Sequence, residues 1–317
     1  MSSVSVVVPS YNGSSRLPRL MSSLAKQQGV EWEAIIVLDG STDNSKDVVA
    51  RWADVLPVRC IQLSRNWGRP TALNAGFSEA NGQVLVRCDD DLELPENFLA
   101  NHSINHRGDP VGVVGMCIDV FPDTLYARSY GRQANEDIRR MAYSTPSASA
   151  WRFWAANCSV TRSTYDRVGI YDESFREYGW EDIDWGYRLH KLGIPIVVLQ
   201  DVEALHHNPA LSGRDRSAKA FASGASRRLF ESKHPESELA QAVLDAPWSP
   251  WNVAVRATAA WMRARSVGGV AAILDAVADH TPPPVARKLI SLGVEAAGLA
   301  GRRAPTLSSG ANPTEET

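Results

Sequence analysis

The sequence predicts an α/β chain with a mainly parallel sheet flanked by helices, followed by a helical extension. Three observations carry that prediction. The first ninety residues alternate short apolar runs with segments of helical spacing. The runs are apolar throughout, as strands covered on both faces are. Beyond Pro247 the composition shifts to Ala, Val and Arg with helical periodicity.

In order, Ser5 to Val8 is a buried strand, expected to stop at Pro9. Arg16 to Gln28 has helical spacing at Leu17, Leu20, Met21 and Leu24. Ala34 to Leu38 is a second strand, Asp43 to Trp52 a helix, and Val58 to Leu63 a third strand. Arg69 to Glu79 is a helix and Gln83 to Arg87 a fourth strand. In sheets of this kind ligands sit beyond the carboxyl ends of the strands. Those ends read Pro9-Ser10-Tyr11-Asn12, Asp39-Gly40-Ser41, Ser64-Arg65-Asn66 and Asp89-Asp90-Asp91, polar and acidic as a site requires.

Residues 93 to 235 are less regular and rich in aromatics, among them Trp151, Trp154, Tyr171, Trp180 and Trp185. Most suit a core, since aromatics carry large buried area. Flat apolar faces beside polar groups also suit sugar rings, and Trp154 and Trp180 are the candidates for that role. Three helices are expected at 251–264, 267–280 and 284–299, with Pro282-Pro283-Pro284 between the last two. The domain reading is 1–235 as a ligand-binding and catalytic domain (divided near residue 92), 236–303 as a helical extension, and 304–317 as a disordered tail rich in Ser, Pro, Gly and Glu.

Bulk properties narrow the function. At 317 residues, with 44% apolar and 22% charged side chains, the chain can bury a substantial core. A net charge of −3 argues against a nucleic-acid protein. Arg16, Arg19, Arg65, Arg69 and Arg87 share the N-terminal third with the acidic cluster, a mixture that fits a metal plus an anionic ligand. The four cysteines form no CxxC pair, which reads as free thiols in a reducing compartment. No signal-peptide pattern and no membrane-length apolar run occur, so the expectation is a cytoplasmic protein. No GxG pair and no GxxxxGK[ST] occur, so the dinucleotide fingerprint and the P-loop are both absent.

Three constellations carry chemistry. Asp89-Asp90-Asp91 closes the fourth strand, and alternation puts Asp89 and Asp91 on one side. As an isolated triplet it is a solvated acidic turn; beside the other constellations it suits magnesium or manganese, which take one or two carboxylates plus phosphate oxygens. Gly179-Trp180-Glu181-Asp182-Ile183-Asp184-Trp185 starts a helix near Glu181. Acidic residues in a first helical turn are favoured by the dipole alone, but in an aromatic cleft such a carboxylate can also serve as a general base. His206 in Leu205-His206-His207-Asn208-Pro209 follows a strand expected at Ile194 to Leu199, and is a candidate further metal ligand.

Taken in order, Pro9-Ser10-Tyr11-Asn12, Asp39-Gly40-Ser41-Thr42-Asp43, Asn74-Ala75-Gly76, Asp89-Asp90-Asp91, Gly179-Trp180-Glu181-Asp182 and His206 resemble the family 2 glycosyltransferases across residues 4 to 235. The segment from Gly179 to Leu189 with Leu205 to Pro209 is most similar to bacterial chondroitin and hyaluronan polymerase domains and related galactosyltransferases. The resemblance implies a GT-A fold, a Rossmann-like sheet that binds a nucleotide-sugar. It implies donor contacts at Pro9, Tyr11, Asn12, Asp39, Arg69, Asp89 and Asp90, sugar contacts at Trp154, Trp180 and Glu181, metal ligands Asp91 and His206, and Asp182 as catalytic base. The chain departs from the family where Leu38 precedes Asp39, a position commonly acidic.

The function expected is an inverting glycosyltransferase that depends on Mn2+ or Mg2+ and moves a sugar, UDP-linked in the first instance, to a hydroxyl of a glycan, lipid-linked or small-molecule acceptor. The alternatives are transfer to a peptide side chain and a non-catalytic nucleotide-sugar or carbohydrate-binding protein. A glycoside hydrolase also pairs carboxylates but has no use for an acidic metal cluster at a parallel-strand end. In the extension, Arg256, Arg263 and Arg265 beside Trp248, Trp251 and Trp261 suit either a packed helical bundle or peripheral contact with anionic lipid at the inner membrane face.

Overall fold

The computed structural model describes residues 3–241 and 249–304. Trp248 and nearly all of the tail expected at 304–317 lie outside the described residues. The chain divides into two compact units, Met1–Pro209 and Ala210–Thr317.

The first unit holds an eight-stranded sheet: β1 (Val4–Ser10), β2 (Trp32–Asp39), β3 (Val58–Leu63), β4 (Val84–Cys88), β5 (Leu92–Glu93), β6 (Gly112–Asp119), β7 (Asn157–Thr161) and β8 (Ile196–His206). Their spatial order is β3-β2-β1-β4-β7-β6-β8-β5. The β3-β2-β1-β4 half is parallel, as the continuous apolar runs predict. Beyond β4 the sheet is mixed: β7 runs antiparallel to both β4 and β6, while β6 and β8 pair in parallel. The helices of this unit are α1 (Leu17–Leu24), α2 (Ser45–Ala53), α3 (Arg69–Glu79), α4 (Phe98–Ile104), α5 (Arg132–Ser144), α6 (Arg162–Val168) and α7 (Glu181–Lys191).

Strand β1 does not stop at Pro9. Its pairing with β2 continues through Pro9 and Ser10, while its pairing with β4 ends at Val7. Pro9 therefore sits where the strand has one open edge, and its missing N–H is tolerated. The core under this half is formed by residues such as Val6, Val8, Leu20, Ile36 and Val86, all without solvent exposure. Helix α3 lies so close to β1 that a Cβ on Gly76 would come within 2.3 Å of Val7 Cγ1.

The second unit contains α8 (Gly213–Lys233), α9 (Glu238–Gln241), α10 (Pro250–Trp261), α11 (Val267–Ala278) and α12 (Pro283–Arg303). The three expected helices are present. The division falls at Pro209 rather than after residue 235, because α8 belongs with the C-terminal helices. Helix α8 was not anticipated, for a physical reason. It buries small residues instead of an apolar stripe: Gly213, Ser217, Gly224 and Ser226, with Phe230. A Cβ on Gly224 would lie 2.2 Å from the Gly298 carbonyl of α12, so backbones meet where large side chains normally would.

Candidate active site

The site forms beyond the carboxyl ends of β1, β2, β4, β6 and β8 and at the start of α7. Two kinds of polar arrangement meet there.

The first arrangement locks loops. Gly40 turns the chain after β2 with φ 69°, and a Cβ there would lie 2.2 Å from the Arg65 carbonyl carbon, so only glycine lets the two loops pass. Both oxygens of Asp39 are engaged, accepting the backbone N–H groups of Trp67 and Gly68 at 2.8 Å. Asp39, expected near the nucleotide, thus holds the entry to α3; burial raises its pKa against those two hydrogen bonds. Asn12 adopts φ 50°. Its backbone N–H donates to Ser41 Oγ and its Oδ1 accepts from the Thr42 N–H. Asp43 accepts from the N–H groups of Ser14 and Ser45, and with the Ser45 hydroxyl these hold its carboxyl well below the usual range although burial opposes them. With the surrounding groups tied to one another, Tyr11 is left 47% exposed beyond Pro9.

Asp90, expected on the donor, belongs to this locking set. Strand β4 ends at Cys88, so the three aspartates lie in the turn beyond it and not at alternating strand positions. Asp90 is 6% exposed and accepts two guanidinium hydrogen bonds from Arg16, at 2.9 and 2.8 Å, and one from Ser10 Oγ. Arg16 also donates to the carbonyls of Tyr11 and Asn12. The middle aspartate therefore shapes the loop after β1.

The second arrangement is less complete. Arg87, inside β4 and 1% exposed, lies between two carboxylates: Nη2 is 3.1 Å from Asp89 Oδ1 and Nε is 3.1 Å from Asp182 Oδ1. Neither contact is aligned as a hydrogen bond, so both carboxylate oxygens and Arg87 Nε and Nη1 are buried without a hydrogen-bond partner. Burial opposes the Arg87 charge, but Asp182 and Asp89 outweigh it and raise its pKa. Burial pushes Asp182 up to about 7, against the pull of Arg87 and with the push of neighbouring Glu181. Glu181 itself is 1% exposed; Oε1 accepts from Arg69 at 2.9 Å and Oε2 has no hydrogen-bond partner. Arg69 is thus brought to the site, paired with a carboxylate and 5.9 Å from the Tyr178 ring.

Helix α7 begins at Glu181, as expected, on an unusual turn. Gly179 and Trp180 both have positive φ, 74° and 80°. For a tryptophan this is a strained conformation. It leaves Trp180 half-buried at the helix start, next to Glu181 and Asp182. Trp154 is different. It is 2% exposed, stacks on Trp185 at 5.0 Å, and packs so tightly on α7 that a Cβ on Gly186 would lie 2.5 Å from its own Cβ. Trp154 is a core residue and presents no open face to a sugar.

Sheet register assembles the rest of this second arrangement. His206 is the last residue of β8 and pairs with Asp119 of β6 on one side and Leu92 of β5 on the other. His206 Nδ1 lies 2.6 Å from Asp119 Oδ1, and Nε2 lies 3.4 Å from Asp91 Oδ2. Burial disfavours the imidazolium, but these two carboxylates push His206 up to about 10. Asp91 is held below its ordinary range by His206 in spite of burial, and its Oδ1 is buried with no hydrogen-bond partner. Among the described residues no group of three or more His, Cys, Asp or Glu side chains forms a closed cation cage. The donor set of carboxylate and oriented imidazole fits Mg2+ or Mn2+, which complete their shell with waters and phosphate oxygens. Asp119 fixes the histidine ring, as partners of a ligand do.

Sequence reading missed Asp119, the pairing of Arg16 with Asp90 and the bridging place of Arg87. Two of them carried a signal: Asp119 closes an apolar run, and Arg87 interrupts one.

Comparison with known proteins adds to this geometry. The family described as Glycosyl transferase family 2 matches residues 5–170. A validoxylamine A glucosyltransferase of Streptomyces hygroscopicus subsp. jinggangensis is 30% identical over 234 residues, covering 64% of this chain and 56% of the relative. An undecaprenyl-phosphate 4-deoxy-4-formamido-L-arabinose transferase of Pectobacterium carotovorum is 32% identical over 142 residues, 43% of each chain. The chain spans about half the length of these curated relatives. Among solved structures, a mannosyltransferase of Pyrobaculum calidifontis in complex with GDP-Man and Mn2+ superposes with a TM-score of 0.58 at 18% identity, covering 94% of this chain and 86% of that one. S. aureus TarS 1-349 in complex with UDP superposes with a TM-score of 0.53 at 18% identity, covering 96% and 92%. These likenesses show the GT-A fold.

Proposed function

The chain belongs to glycosyl transferase family 2, and from that premise we propose that it is an inverting, metal-dependent enzyme moving a sugar from a UDP-linked donor to an acceptor hydroxyl. One observation carries the reading: Asp89 and Asp182, far apart in sequence, each lie 3.1 Å from the buried Arg87 guanidinium. This puts a donor-side carboxylate and a candidate base within one site. The likeness of Gly179 to Leu189 to chondroitin and hyaluronan polymerase domains remains one of motif.

In this reading the backbone around Pro9 and Tyr11, with Asn12, lies against the base and ribose, and Asp89 faces the ribose. Asp91 and His206 would hold Mn2+ or Mg2+, which when bound supplies charge neutralisation at the departing diphosphate. Asp182 accepts the acceptor hydroxyl proton as that oxygen bonds to the anomeric carbon and the bond to the diphosphate oxygen breaks, which inverts the centre. Arg87 favours the ionised form of Asp182 against burial and lies 3.1 Å from one of its oxygens. A base pushed up to about 7 is suited to proton transfer near neutral pH. Glu181, anchored by Arg69, offers its unpartnered Oε2 to a sugar hydroxyl, and Trp180 supplies an apolar ring beside it. The names of the relatives point to acceptors of two kinds, a small molecule and a lipid-linked phosphate; glycan, lipid-linked and small-molecule hydroxyls all fit the reading.

The test is a panel of nucleotide-sugars with and without Mn2+, followed by thermal unfolding and by transfer of labelled sugar. Stabilisation by one UDP-sugar that depends on the metal is expected. Full transfer in excess chelator would remove the metal from the reading, and stabilisation without any transfer to lysate acceptors would favour a binding protein.

A further inference from the structure

The second unit carries a surface that the transfer chemistry does not use. Helix α10 and the residue after it bury Val255, Ala259 and Met262 against Ala296, Ala297 and Ala300 of α12. The opposite side of α10 is apolar as well. Val253, Ala257, Ala260 and Trp261 are exposed at the spacing of a single helical stripe, and Trp261 is 77% exposed. On α11, Ile273 and Val277, one turn apart, are 67% and 48% exposed. Apolar faces of this kind mark contact sites.

Charge identifies the occupant. Arg256 flanks the stripe, and Arg263 and Arg265 follow in the turn to α11; all three are exposed. Residues 249–304 carry seven Lys and Arg against three Asp and Glu, although the whole chain is at −3. Two of those acids are already engaged: Asp275 accepts the Arg214 N–H and Glu295 accepts the Trp251 indole N–H. A second copy docked symmetrically on the stripe would set these arginines against themselves. An anionic bilayer instead offers headgroup phosphates to the arginines and an acyl boundary to the tryptophan, where Trp is favoured. Among the described residues no helix is long and apolar enough to cross a membrane.

We propose that the exposed face of α10, with the turn that follows it, docks on the surface of an anionic lipid bilayer, with Trp261 at the headgroup level and Arg256, Arg263 and Arg265 on lipid phosphates. The proposal is independent of the transfer chemistry and is read by binding alone. The full chain is co-sedimented with phosphatidylcholine vesicles and with vesicles containing about one third phosphatidylglycerol, at low and high salt. Binding to the anionic vesicles is expected, at least about tenfold tighter than to neutral ones and weakened by salt. Trp261→Ser and the double variant R263E/R265E should each lose most of it, with circular dichroism unchanged because these side chains are exposed. Equal binding to both vesicle types, or none, overturns the proposal. So does a concentration-dependent dimer that Trp261→Ser dissolves, which would give the face to a second copy.

Discussion

The loops around β1 and β2 and the junction of β4 with α7 and β8 are both polar, yet they are built differently. In the first region the polar groups satisfy one another: Asp39 with Trp67 and Gly68, Asn12 with Ser41 and Thr42, Asp90 with Arg16 and Ser10. In the second, oxygens of Asp89, Asp91, Glu181 and Asp182 and two nitrogens of Arg87 are buried without hydrogen-bond partners. Buried groups left so cost stability unless something else meets them. The first region is a scaffold complete in itself, and the second has charge in reserve for a ligand.

Substitution should separate the two regions. The largest expected effect is at Asp182→Asn, which lowers transfer by about 10²- to 10⁴-fold, the usual contribution of a general base. Because it also takes a charged partner from the buried Arg87, the melting temperature should fall moderately while the fold and donor binding persist; calorimetry and donor titration check both. A variant that unfolds would move Asp182 to the scaffold. Next, Arg87→Met leaves Asp89 and Asp182 facing each other in a buried site and should cost about 3–5 kcal/mol in denaturant unfolding. Arg87→Lys keeps the charge but loses the two-pronged contact, and its transfer rate should fall more than its stability. Asp90→Asn removes a buried charged partner from Arg16 and should cost about 1–3 kcal/mol while changing kcat little, read by unfolding alongside initial rates. An Asp90 variant with normal stability and abolished donor binding would break the contrast.

The smallest effect is on pH. Burial pushes Asp182 up to about 7, and the base works only when ionised. Transfer should therefore rise as pH increases through about 7 and fall as Asp182 takes up a proton below it. In Arg87→Lys the weaker hold on the ionised form should move this acidic limb upward. An acidic limb that persists unchanged in Asp182→Asn would assign it to another group.

The legibility of the molecule follows the range of its interactions. Helix α3 was read at its observed bounds and the start of α7 at Glu181, because periodicity and helix starts are encoded within a few residues. Trp154 could not be assigned in the same way: an aromatic is equally at home in a core or beside a sugar, and only the close approach of Gly186 settles which. Helix α8 was missed because its packing runs through glycine and serine, which leave no apolar period to read.

By itself the sequence determined the parallel half of the sheet, the acidic ends of its strands and the family, since each depends on local pattern and the order of motifs. Only the tertiary structure decided that Arg87 stands between Asp89 and Asp182, that β6 and β8 pair in the register that sets Asp119 on His206, and that Asp90 turns to Arg16. Each of those contacts joins residues brought together by sheet register or helix packing. Their energy depends on distance and burial in three dimensions, which no spacing along the chain specifies.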